Sequence, residues 1–129
     1  MKFVLLSIAL LLITTCVQAI PTKNKQVNEN MKFGMQAVLI AAEGKGDELA
    51  HLMLEASETV SKMDGCILYL VQQSLTDNSK VLVTELWDNK KSHAASLTNE
   101  AVRMIIMKAK PIIIGMDHNP AKYIGGHGI

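Results

Sequence analysis

The chain has 129 residues, a formal net charge of +1 and 49% hydrophobic residues. That length suits one domain rather than two. The balanced charge, with no basic run and no interleaving of aromatic and basic residues, excludes a nucleic-acid partner.

The first elements concern targeting. Lys2 precedes an apolar run from Phe3 to Ile13, broken only by Ser7, and Val17-Gln18-Ala19 places small or modest side chains before a cut. This is the layout of a secretory signal peptide, residues 1–19, cleaved after Ala19. The run is short for a membrane anchor, so no stable membrane insertion is expected after cleavage. Cys16 follows Thr14-Thr15 rather than the small residue of a lipoprotein signal. The expected destination is the periplasm or the medium. Residues 20–30, mostly polar and without periodicity, read as a flexible leader. Cleavage leaves Cys66 as the one cysteine, so no intramolecular disulfide can form. Stability must come from a core, helped by an oligomer interface.

The domain proper, residues 31–129, opens with a strand candidate at Met31–Ala42. Phe33, Met35, Ala37 and Leu39 alternate with Lys32, Gly34 and Gln36. Gly44-Lys45-Gly46 breaks it, and Asp47 is positioned to cap a helix reaching about Met63. The apolar positions Leu49, Leu52, Met53, Ala56, Val60 and Met63 fall on one stripe of that helix. Asp64-Gly65 stops it. Cys66–Ser74 and Lys80–Trp87 are rich in β-branched and aromatic residues, and the turn chemistry of residues 75–79 between them predicts an antiparallel hairpin. Asp88-Asn89 caps a short helix, Lys90–Leu97. Thr98-Asn99 starts another that runs to about Lys110, with Val102, Ile105, Ile106 and Ala109 inward and Pro111 at its end. A last strand lies within Met116–Ile124.

The order is βαββαβ, which predicts an α+β ferredoxin-like fold: an antiparallel sheet with helices on one face. In the second strand Cys66, Leu68 and Leu70 alternate with Ile67, Tyr69 and Val71, so both faces are apolar. Helices cover one. A second copy covering the other predicts a homodimer, a dimeric α/β barrel.

Gly65-Cys66-Ile67-Leu68-Tyr69 at the opening of the second strand, and Val83-Thr84-Glu85-Leu86-Trp87 in the third with its pattern hydrophobic-x-Glu-x-Trp, together resemble the antibiotic biosynthesis monooxygenase family. His93-Ala94-Ala95-Ser96-Leu97 resembles the His-x-x-Ser-Leu helix of quinol monooxygenase-type members. Pro111-Ile112-Ile113 and the tail from Gly125 to Gly128 are similar too. The resemblance spans about residues 32–129. It implies a dimeric ferredoxin-like barrel with a pocket between sheet and helices. The implied chemistry is insertion of oxygen from O₂ into an electron-rich aromatic such as a quinol, with no flavin, metal or haem.

On that reading Trp87 is a wall for a small aromatic substrate or an indole N–H donor, and equally a core aromatic needing one partner. Glu85 shares its strand face and is a candidate base if its pKa is raised, or a carboxylate held by hydrogen bonds. His93 is the candidate proton shuttle, against a plain surface histidine. Tyr69 lines the substrate pocket or fills the core. His51, His118 and His127 lack metal-ligand spacing, and neither a metal nor a cofactor site is expected. Two other functions compete. Haem-degrading relatives share the fold and the tryptophan, but their iron-ligating histidine falls near Leu97, which cannot ligate iron. A non-catalytic module binding small aromatics outside the cytoplasm needs no obligatory residue set.

Overall fold

Four strands and three helices follow the predicted order in a computed structural model that describes residues 31–129. The expected signal peptide and leader lie outside the described residues. The elements are β1 (Phe33–Ala41), α1 (Gly46–Val60), β2 (Cys66–Gln73), β3 (Lys80–Trp87), α2 (Lys90–Ser96), α3 (Glu100–Ala109) and β4 (Ile113–Lys122). A single 3₁₀ turn, Lys110–Ile112, joins α3 to β4. The sheet order is β2-β3-β1-β4 with every pair antiparallel, the ferredoxin-like arrangement. No helix among the described residues is long and apolar enough to cross a membrane.

Register fixes what each face carries. On the helix-facing side, rows run across the sheet as Tyr69–Glu85–Met35–Pro120 and Val71–Val83–Ala37–His118. At the end of the sheet the row is Cys66–Trp87–Phe33–Lys122. The main core packs Leu39, Val81 and Val83 against Leu49, Met53 and Ala56 of α1 and Ile105 and Ala109 of α3. Leu49 is wholly buried, and burial on that scale stabilises the fold by about 1.5–3 kcal/mol. A smaller cluster of Val60, Trp87 and Val102 fills the sheet end where the candidate residues lie, with Phe33, Met63, Cys66 and Tyr69 packed against it.

Five details depart from the sequence reading, the first being Ile106, expected inward but 44% exposed on α3, where Val102, Ile105 and Ala109 are the buried residues. Asp47 does not cap α1: the cap position is Lys45, without a side-chain bond, and Asp47 sits in the first turn. Its carboxylate instead accepts from Gln73 Nε2 at 3.0 Å and Asn78 Nδ2 at 3.1 Å, tying the helix start to the β2–β3 hairpin. Gly46 permits this approach, because a Cβ there would collide with the Asn78 carbonyl. Helix α1 ends at Val60, before Met63. Strand β4 starts at Ile113 rather than Met116, since the 3₁₀ turn at Pro111 delivers the chain directly to the edge of β1. Finally, a register shift between Cys66 and Leu68 breaks the simple alternation of β2. It puts Cys66 with Tyr69 in the cluster under the helices and leaves Ile67 46% exposed.

Candidate active site

Alternation along β3 sends Val81, Val83, Glu85 and Trp87 to one face, beneath the helices. The strand ends at Trp87, and the backbone N–H of Asp88 just beyond it donates to the Gly65 carbonyl at 2.8 Å, joining the exit of β3 to the entry of β2. Gly65 has φ +84°, and a Cβ on it would run into Asp88 and Ser92. Only glycine fits that crossing without strain. Asn89 then caps α2, its side-chain oxygen accepting from the Ser92 backbone N–H at 2.9 Å. The cap sets the first turn, and His93 falls one turn later over the end of the sheet.

The result is a buried polar–aromatic cluster. Trp87 is wholly buried, and its indole Nε1–H donates to Glu85 Oε2 at 2.8 Å. His93 is 9% exposed, with Nε2 3.8 Å from the same carboxylate oxygen. That is a contact distance rather than a hydrogen bond. The imidazole lies edge-on to Trp87 with centroids 5.9 Å apart, and tilted against Phe33 at 4.9 Å. Tyr69 stands opposite Glu85 on β2. Ser96 is buried and its hydroxyl donates to the His93 carbonyl at 2.7 Å. The serine of the His-x-x-Ser stretch thus holds the helix backbone that carries the histidine.

The electrostatics follow from burial. Desolvation raises the pKa of Glu85, opposed in part by the Trp87 hydrogen bond. Desolvation lowers that of His93, aided by the positive charge of Lys90. Burial also pushes the Tyr69 phenol up, reinforced by Glu85 and then by Cys66. Cys66 moves the same way, again chiefly by burial and then by Glu85. Each group is biased toward its uncharged form, so burial outweighs ion pairing between Glu85 and His93. Neutral His93, or Glu85 once ionised, can take a proton from a substrate hydroxyl and return it later. Among the described residues no group of three His, Cys, Asp or Glu side chains could hold a metal ion.

All four residues named from sequence, Tyr69, Glu85, Trp87 and His93, meet in this one cluster. Phe33 was missed. It comes from β1, far away in the chain, and the cross-strand pairing with Trp87 that brings it in is a tertiary fact.

The model of the antibiotic biosynthesis monooxygenase family matches residues 33–106, from Phe33 at this cluster through most of α3. The chain belongs to this family. A protein assigned to the same antibiotic biosynthesis monooxygenases in Chloroflexus aurantiacus is 33% identical, covering 76% of this chain and 98% of its own, with a TM-score of 0.70. A counterpart so assigned in Deinococcus radiodurans is 26% identical over 75% of this chain and 95% of its own, with a TM-score of 0.64. SnoaB, a cofactor-independent oxygenase from Streptomyces nogalater, shares the fold at 6% identity and a TM-score of 0.67, over 76% of this chain and 98% of its own. No curated protein matches the chain. Within this monooxygenase family, Tyr69, Glu85, Trp87 and His93, from three of the segments that resembled its signatures, build the cluster.

Proposed function

We propose that this monooxygenase-family protein is a cofactor-independent oxygenase of the quinol monooxygenase type, oxidising a small quinol or polyphenolic aromatic with O₂. The observation that carries the reading is the carboxylate–indole–imidazole cluster of Glu85, Trp87 and His93 beneath the helices, with Phe33 and Tyr69 packed against it. Water exclusion and an uncharged base are what such chemistry asks of a protein. Neutral His93, or Glu85 in its ionised form, takes the proton of a substrate hydroxyl. The resulting anion gives one electron to O₂, and the aromatic radical and superoxide combine to form a C–O bond. The peroxide takes up the proton and loses water at a ring carbon that bears hydrogen, leaving a carbonyl. One oxygen atom stays on the substrate, the other leaves as water, and the substrate supplies both electrons.

The sheet face away from the helices supports a homodimer. Leu68, Leu70, Leu82, Val38 and Ile40 share it, and Leu70 remains 47% exposed. A second copy is the economical cover for such a face. The signal-peptide pattern of residues 1–19 supports export to the periplasm or the medium, with a cut after Ala19.

The test is O₂ uptake by the purified protein with a panel of quinols and anthrone-like phenols, against a protein-free blank for autoxidation. Uptake above the blank is expected, with His93→Ala lowering kcat by about 10²–10⁴-fold if the imidazole is the base. Full burial of Trp87 also suits a second reading, a non-catalytic module that binds small aromatics. Binding of the panel with no uptake above the blank would decide for that module.

A further inference from the structure

The row of the sheet that carries Trp87 and Phe33 ends in Lys122. Phe33 and Lys122 are direct partners in the β1–β4 ladder, which runs without a shift from Phe33 to Ile40. Their side chains therefore leave the same face, with Cβ atoms about 4.5–5.5 Å apart. Phe33 packs into the cluster and against His93, while Lys122 is exposed on the edge strand beyond it. A second cation, Lys90, lies one turn before His93 on α2 and is exposed, and its charge is felt at the imidazole. Among the described residues neither lysine is ion-paired with a carboxylate. The carboxylates at this end include half-buried Glu85 in the cluster, and the exposed Asp64 and Asp88 at the Gly65 crossing.

We infer that the site takes an aromatic bearing a negative group, a carboxylate on the ring, with Lys122 on β4 as the specificity-determining residue that receives it. The inference rests on the cluster being the substrate site, and it names the class of aromatic that enters. The ring lies toward Phe33 and Tyr69, and the anionic substituent extends past Phe33 to the edge of the sheet. There Lys122 meets it while both groups keep part of their hydration. Lys90 adds a field of the same sign without a contact. A neutral ring of the same shape has the same apolar contacts and lacks this one.

The experiment is isothermal titration calorimetry of the purified protein with 3,5-dihydroxybenzoate and with 3,5-dihydroxybenzamide, which differ in charge and little in shape. The benzoate should bind about fivefold more tightly, the scale of one partly solvated ion pair. The preference should shrink as ionic strength rises. Lys122→Met should abolish it, Lys122→Glu should reverse it, and Lys80→Met, at the far end of β3, should leave it intact. Equal binding of the two ligands, no binding of either, or a preference that survives Lys122→Met would overturn the inference. O₂ uptake, measured separately with quinols, keeps the two readings apart. Uptake with no charge preference removes only the anionic substrate class. Charge preference without uptake removes only the oxygenase.

Discussion

Replacing Trp87 with phenylalanine tests the cluster at its most buried point. The substitution removes the indole N–H that donates to Glu85 Oε2 at 2.8 Å, and leaves a gap beside Val60 and Val102 in a place with no exposure at all. A hydrogen bond is worth about 0.5–1.5 kcal/mol to a neutral acceptor and about 1.5–3 kcal/mol to a charged one. The lost ring atoms and residual cavity add about 1–2 kcal/mol. Because the two losses occur at one side chain and relaxation is shared, about 3 kcal/mol in total is expected. That is a large part of the stability of about 5–15 kcal/mol usual for a domain. The assay is urea denaturation followed by far-UV circular dichroism, since the substitution removes the chain's only tryptophan. The same variant should raise the pKa of Glu85 further, because the bond that opposes desolvation is gone. Carboxyl-carbon NMR reads that directly. A loss under about 1 kcal/mol, with the Glu85 titration unmoved, would refute the role given to the indole.

Three further outcomes are expected. Glu85 has a pKa raised above 4.5 in the fold, so the native state holds its proton while the unfolded chain releases it, and this group's contribution to stability falls as pH rises through that window. Glu85→Gln should therefore gain on the wild type from pH 4.5 upward in denaturation series; a difference independent of pH would count against a desolvated carboxylate. Gly65→Ala combines a positive φ with collisions at Asp88 and Ser92, so it should cost about 2–4 kcal/mol by thermal unfolding, and a neutral result would mean the crossing is not tight. If a second copy covers the outer sheet face, Leu70→Lys should shift the protein to monomer in analytical ultracentrifugation, and an unchanged mass would place the interface elsewhere.

Much of the site is legible in the sequence because strand periodicity is strict. Once Lys80–Trp87 is a strand, Glu85 and Trp87 must share a face, and Asn89 in a capping position places His93 one turn on. The hairpin and the asparagine caps are local chemistry, written in a few adjacent residues. What escaped is non-local or depends on competition. Phe33 enters through pairing of β1 with β3, and no spacing within its own segment points to His93. The irregularity at Ile67 reassigns Cys66 to the helix side, and an unbroken apolar run cannot reveal which residue slips. Asp47 looked like a cap, yet Gln73 and Asn78 offer its carboxylate two donors from the hairpin. The tertiary partners win over the local one.

Burial of the lone tryptophan inside the cluster gives the protein a built-in optical reporter. Its emission should be blue-shifted, as from an apolar solvent, and all of it originates a few ångströms from the groups that handle protons. The indole touches one titrating carboxylate through a hydrogen bond and one imidazole through its ring. A protonated imidazole quenches indole fluorescence more strongly than a neutral one, so light output against pH traces the charge on His93 without a label. Ligands that enter beside Phe33 are then visible in the same signal, and exposure of the indole to water registers as a red shift.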